Sequence, residues 1–352
     1  MSTSAHAPAR LIDFSDPPQC LLPALLGSPT QAACFSMCNG QLRVDSTAAL
    51  RYFVHPPANA DVKSGYNKLT HKQRSTVVTG LEDILAMCVK SKNSESLLDV
   101  QVIARRGVVK KMMIGEKMQL NVSFHNGILY IEEQGPRKRY IDLESYRGYR
   151  FETWCSSATP QGPSGGTVNL QTQFSTAVVR KIGSLKVLLV GEVDCVEPAY
   201  FQNPGPEHYV ELKMRTFKPD RARRGPEEKW AIQTLLLGGS KLFVGHANKE
   251  DGVLQDVEML SVPAVPSAAH QWKIDWGARV LHSLIEYCGK AQQDDGTLKV
   301  WRVELGKWYA DIRELGSAEE RALNHARRGG ASGSRNGILP LYFIEELRRK
   351  RS

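Results

Sequence analysis

The 352-residue chain has no uninterrupted apolar run near the roughly 20 residues that a membrane-spanning helix needs, so no such helix is expected. Its opening stretch, MSTSAHAPARLIDFSDPP, lacks the basic-then-apolar layout of a secretory signal, and the protein is expected to stay inside the cell. Cysteine is sparse: seven, at positions 20, 34, 38, 88, 155, 195 and 288, odd in number and without the paired spacing of a disulfide framework. A reducing compartment fits. Cys34 and Cys38 are spaced as half of a zinc site, but no second Cys/His pair follows them, so a structural zinc is not expected. Acidic charge is also in deficit. The 46 Lys and Arg outnumber the 37 Asp and Glu, and the net charge of +9 is compatible with a polyanionic partner such as nucleic acid.

The chain does contain an ordinary globular mixture, 41% hydrophobic and 24% charged. The first sixty residues, rich in Pro, Ala and Ser, read as irregular chain wrapping a core. Residues 75–90 space apolar side chains at helical intervals. Strands are then expected over QVIARRGVVKKMM, over a hairpin turning at Asn126–Gly127, and over 146–155, 177–195 and 207–217. Helices follow at PEEKWAIQTLLLGG, which opens with Pro and Glu and stops at paired glycines, and at 272–291. A strand at 298–306 and two C-terminal helices complete the reading. Without an internal repeat or a long linker, a single α/β domain is expected over 1–352, with an irregular N-terminal segment 1–45 and a C-terminal tail 311–352 that carries the last two helices.

The stretch VGEVDCVEPAYFQNPGPEHYVELKMRTF carries the chemistry. Alternation along a strand turns Glu192 and Asp194 one way and Val193 the other, and likewise pairs Glu211 with Lys213 around Leu212. The Pro- and Gly-containing connection can reverse the chain, so the two strands are expected to be antiparallel neighbours. A solvated sheet face is the plain alternative, but LKVLLVG leading into Glu192 is almost continuously apolar, as in a strand covered on both faces. Carboxylates ending such a strand are costly unless paired or metal-bound. Oxygen donors of this kind suit Mg²⁺ or Mn²⁺. Acid, spacer, acid-x-Lys is the layout of PD-(D/E)XK metal-dependent nucleases, in which the metal activates water and neutralises phosphate charge while the lysine orients the attack.

A third element, Gly148-Tyr149-Arg150-Phe151-Glu152, is expected to end another strand with a carboxylate. The ordered set Gly148–Glu152, Glu192–Asp194 and Glu211–Lys213 resembles the DXO family of RNA 5′-end decapping and pyrophosphohydrolase enzymes. Arg106 in RRGVVKKMM and Gln233 in WAIQTLLLGG extend the resemblance, which covers roughly residues 45–310. It implies two extended mixed β-sheets flanked by helices, with the pocket between the sheets. It implies that Glu152, Asp194, Glu211 and the Leu212 carbonyl hold metal, two ions in such enzymes, and that Glu192 reaches a metal through water. Lys213 and Gln233 would position nucleophile and phosphate, and Arg106 would meet the substrate's 5′ end.

The implied activity is removal of incomplete, pyrophosphate or NAD-type caps, with 5′→3′ exoribonuclease activity and a nuclear location. Fungal family members also partner a nuclear 5′→3′ exoribonuclease, so a non-catalytic RNA-binding or stabilising partner is the rival reading. The Gly/Pro/Ser-rich stretch after Glu152 does not match the docking segment expected of such a partner. A DNA endonuclease sharing the metal site but not the first motif ranks last.

Overall fold

In the computed structural model, the described residues are 10–13, 26–68, 80–134, 141–217, 228–263, 268–292, 298–307, 309–327 and 334–350. The chain begins with β1 (Arg10–Asp13), β2 (Thr30–Cys38), β3 (Gln41–Val44) and β4 (Tyr52–Phe53). Helices α1 (Glu82–Lys90) and α2 (Ser94–Leu98) precede β5 (Val102–Arg105), α3 (Arg106–Met113), β6 (Met118–His125) and β7 (Ile128–Gln134). Then come α4 (Leu143–Trp154), β8 (Ser156–Ser157), β9 (Thr172–Ile182), β10 (Leu185–Glu192), β11 (Cys195–Val196) and β12 (Tyr209–Phe217). The remainder is α5 (Glu228–Leu237), β13 (Lys241–Asn248), β14 (Leu254–Ser261), α6 (Ala268–Ala291), β15 (Trp301–Leu305), β16 (Tyr309–Glu314), α7 (Ser317–Arg327) and α8 (Leu341–Arg349).

Two mixed sheets organise these elements. The larger has ten strands in the order β1-β16-β15-β6-β7-β5-β10-β9-β2-β3, and the smaller has six in the order β14-β13-β12-β11-β4-β8. Helices α3, α5 and α6 cover one face of the larger sheet, where Val109, Met112, Val187, Leu189, Ile232, Leu236 and Leu281 share one buried cluster. Helices α1, α2 and α8 cover the other through Leu85, Leu97, Leu188, Val190 and Phe343. Strand β10 is therefore buried on both faces, which accounts for its apolar run. The β6–β7 hairpin turns at Asn126 and Gly127, whose φ values of +54° and +80° are those of a two-residue primed turn.

Several expected elements take other forms. Among the described residues of the first sixty the chain is not irregular: β2 pairs with β9 over most of its length, and β3 extends the sheet. Buried Ala33 and Phe35 flank partly exposed Cys34 on β2, a signal that the Pro/Ala/Ser composition masks. Residues 102–113 are a short strand followed by a helix, because buried Val108, Val109, Met112 and Met113 recur with a helical period. Residues 146–155 are not a strand but lie almost wholly in α4. Asp142 caps that helix by accepting a hydrogen bond from the Ser145 backbone N–H at 2.8 Å. The tail from 311 holds the end of β16 and the helices α7 and α8. The helical reading of 75–90 holds from Glu82 onward, and its first residues lie outside the described ones. Cys34 and Cys38 sit four residues apart on β2, which at about 3.3 Å per residue separates them too far to chelate as a pair.

Candidate functional site

The site forms where the chain crosses between sheets. Strand β10 ends at Glu192 in the larger sheet; Val193 and Asp194 bridge the gap, and β11 begins at Cys195 in the smaller one. The strands bearing Glu192 and Glu211 are thus not antiparallel neighbours. It is β11 that pairs antiparallel with β12, with Cys195 opposite Val210. The two-residue strand after Asp194 performs the pairing that the continuous acid–apolar–acid pattern had assigned to β10.

Glu211, nearly buried, is the hub. Its Oε2 accepts from Arg106 Nη1 at 2.8 Å, and its Oε1 accepts from Lys213 Nζ and Gln233 Nε2, each at 2.5 Å. Lys213 Nζ also donates to the Leu212 carbonyl at 3.0 Å and lies 3.8 Å from Asp194 Oδ2. Asp194 Oδ2 accepts from the Leu212 backbone N–H at 2.7 Å, which ties the crossover to β12. Gln233 turns toward Glu211 rather than joining a solvated helix stripe. Glu152 enters from α4, where the helical period directs Tyr149, Glu152 and Thr153 to the same cavity as Glu192 and Asp194. Arg106, the first residue of α3, is buried against Glu211. Arg105 instead donates to the Gly80 carbonyl and pairs with Asp83, so Arg106 alone of the two reaches the site.

The electrostatics follow from crowding acids in a half-dry space. Burial, then Asp194 and Glu192, push the Glu152 carboxyl well above the ordinary carboxylate range. Burial and the neighbouring Glu211 push Asp194 up to about 7. Burial opposes ionisation of Glu211 as well, but Arg106 and Lys213 override it and hold its pKa down to about 2. Burial disfavours the Lys213 ammonium, and Glu211 with Asp194 outweigh that and raise its pKa.

Do these residues suit a divalent metal? Among the described residues no three acidic, imidazole or thiolate groups form a ready coordination sphere, since Glu211 is engaged by Arg106, Lys213 and Gln233. Donor chemistry and charge nevertheless fit: Glu152, Glu192, Asp194 and Glu211 face Arg106 and Lys213, an excess of two carboxylates. All the donors are hard oxygens.

Two contributors were not singled out from the sequence. Gly191, just before Glu192, lies against Arg106: a Cβ there would stand 3.0 Å from the Arg106 Cβ and 3.0 Å from Leu237 Cδ1. A glycine abutting an acidic motif was the available signal. The second is the rest of the cavity lining, of about 340 Å³, which Arg51, Thr167 and Asn169 share with the acids. Nothing in the local pattern of those residues marks them. The basic residues at 137–139 and 221–224 lie outside the described residues.

A mixed α/β fold with an acid-x-Lys strand at the junction of its sheets defines the PD-(D/E)XK class of nucleases. Residues 27–339 match the model of the RAI1-like PD-(D/E)XK nuclease family, and the chain belongs to that family. The match reaches further at both ends than the 45–310 read from motifs. Among curated relatives, the decapping nuclease RAI1 of Neurospora crassa is 23% identical over 334 residues, covering 84% of this chain and 80% of that protein. The human decapping and exoribonuclease protein is 27% identical over 252 residues, 63% of this chain and 64% of its own length, so that match spans less than two thirds of the relative. The crystal structure of Candida albicans Rai1 in complex with pU5-Mn²⁺ superposes with a TM-score of 0.76 at 18% identity, covering 97% of this chain and 100% of that one.

Proposed function

We propose that this protein is a divalent-metal-dependent hydrolase of RNA 5′ ends that removes incomplete, pyrophosphate or NAD-type caps. The observation that carries the reading is the convergence of Glu152, Glu192, Asp194 and Glu211 with Lys213 and Gln233 where the two sheets meet. Membership of a family whose relatives are named decapping nucleases supports it, as does the Candida relative's complex with pU5 and Mn²⁺.

In this reading Glu152, Asp194, Glu211 and the Leu212 carbonyl hold one or two ions of Mg²⁺ or Mn²⁺, and Glu192 reaches them through water. The metal, when bound, supplies activation of water and neutralisation of phosphate charge. Lys213, protonated because Glu211 and Asp194 favour its charged form, donates from Nζ toward the reacting groups. Gln233 offers an amide N–H beside it. Arg106 is committed to Glu211 and would meet a 5′ phosphate group only by sharing its guanidinium between carboxylate and substrate.

The test incubates the purified chain, with Mg²⁺ or Mn²⁺, with short RNAs bearing triphosphate, monophosphate, unmethylated-cap or NAD ends, beside Glu211→Gln and Lys213→Met controls. Metal-dependent product lost in both controls is expected, and the product names the preferred end. Folded protein that releases nothing from any end defeats the reading. Exposed Arg348, Arg349 and Lys350 at the end of α8 support a nuclear location, checked by imaging the tagged chain with these residues neutralised. Association with a nuclear 5′→3′ exoribonuclease rests on the family resemblance alone, and co-purification at low salt tests it.

A further inference from the structure

The cavity holding the acids has a basic residue on its wall that the three acidic motifs leave unexplained. Arg51 directly precedes β4 and is half-buried, and it lines the same cavity as Glu152, Glu192 and Asp194. Its Nε donates to Ser156 Oγ at 3.3 Å and its Nη2 to the Ser156 carbonyl at 2.9 Å. Ser156 Oγ donates in turn to the Glu152 carbonyl at 2.7 Å, and the Arg51 carbonyl accepts from the Val196 backbone N–H at 2.9 Å. The guanidinium is thereby fixed to the end of α4 that carries Glu152, and the Arg51 backbone to the strand that follows Asp194.

What distinguishes Arg51 is its lack of an acid. Arg106 and Lys213 are both ion-paired to Glu211. Among the described residues no carboxylate pairs with Arg51, whose recorded acceptors are the two Ser156 oxygens. Those bonds use the Nε–H and one N–H of Nη2, leaving Nη1 and the second N–H of Nη2 for another acceptor. A half-buried cation without an anion is costly, and burial accordingly lowers its pKa. A cation held beside three carboxylates, yet paired with none, is suited to an anion that arrives with the substrate.

We propose that Arg51 binds substrate by donating to a non-bridging phosphate oxygen of the RNA strand lying over the acids. This rests on the RNA-hydrolase reading above. Arg51 thus offsets backbone charge outside the metal-binding carboxylates, and Ser156 fixes its orientation relative to Glu152. Because the contact is to phosphate, it strengthens binding of any RNA sequence alike.

The test measures binding of a labelled, 5′-phosphorylated single-stranded RNA pentamer to the full chain in EDTA, across about 50 to 200 mM salt. Arg51→Gln is expected to weaken binding several-fold and to reduce the log–log salt slope by about 0.7, the loss of one single-strand phosphate contact. Arg51→Lys keeps the charge and should restore the slope. Mn²⁺ affinity by calorimetry should be unchanged in both variants. An unchanged slope in Arg51→Gln overturns the proposal, including the case in which melting temperature and Mn²⁺ affinity fall together, which would make Arg51 a strut for Ser156. If the wild type binds this RNA but cleaves no 5′ end, the hydrolase reading fails while the slope comparison still decides Arg51. Wild-type protein that does not bind the RNA overturns the Arg51 contact itself.

Discussion

Arg106→Met isolates the interaction on which the site's geometry depends most. Arg106 and Glu211 are each more than nine-tenths buried, and their 2.8 Å contact joins the start of α3 to the middle of the smaller sheet. Removing one partner of a buried pair costs about 3–5 kcal/mol, because the remaining charge is left without compensation. Here the lower end applies, since Lys213 and Gln233 still donate to Glu211 Oε1. A loss of about 3 kcal/mol corresponds to a drop in melting temperature of roughly 6 °C, taking about 2 °C per kcal/mol for a large domain. The assay is denaturant unfolding of wild type, Arg106→Met, Glu211→Gln and the double variant, without metal. The cycle should show a coupling of about 2 kcal/mol or more, with the double variant closer to wild type than the two single losses added. A coupling under about 0.5 kcal/mol would refute the view that this pair holds the sheets together at the site.

The other predictions concern the acids and their supports. Metal must displace the proton that Asp194 retains up to about pH 7, so Mn²⁺ affinity should tighten by about tenfold between pH 6 and pH 8 with proton release, and calorimetry in two buffers checks both. The stability effect of the same group has the opposite sense. Its folded pKa is raised, so its contribution to the metal-free protein falls as pH rises from the ordinary carboxylate range through about 7, and unfolding at pH 5 and pH 8 reads this. Gly191→Ala places a Cβ 3.0 Å from Arg106 and Leu237 and should cost about 1–3 kcal/mol with reduced turnover; wild-type stability would show that the crossover relaxes freely. Arg180→Met removes the buried guanidinium that holds the Leu235 and Leu236 carbonyls at the end of α5 together with the Gly27 carbonyl. Unsatisfied buried carbonyls cost about 1–3 kcal/mol each, so a loss of at least about 2 kcal/mol is expected by denaturant unfolding.

The sequence by itself determined much about this protein. The apolar run of β10, the Asn126–Gly127 hairpin and the Gly-closed end of α5 are local signals, set by burial on both faces or by positive φ. The acidic motifs and Lys213 were legible for the same reason, because charge following a buried strand requires a partner. Other features depended on contacts between distant segments. Residues 146–155 read as a strand from their sequence, and the Asp142 cap with the packing of Phe151 against Phe243 of the smaller sheet makes them a helix. Neighbourhood of the acid strands was a topological matter: the switch from one sheet to the other at Val193–Asp194 leaves no mark in an unbroken acid–apolar–acid pattern. That Arg106 rather than its neighbour Arg105 reaches the site is set where β5 gives way to α3, which turns Arg105 toward Asp83 and Arg106 toward Glu211. Arg51 carries no pattern at all. Its place beside the acids is set by Ser156, 105 residues away in the chain, and only the tertiary fold brings the two together.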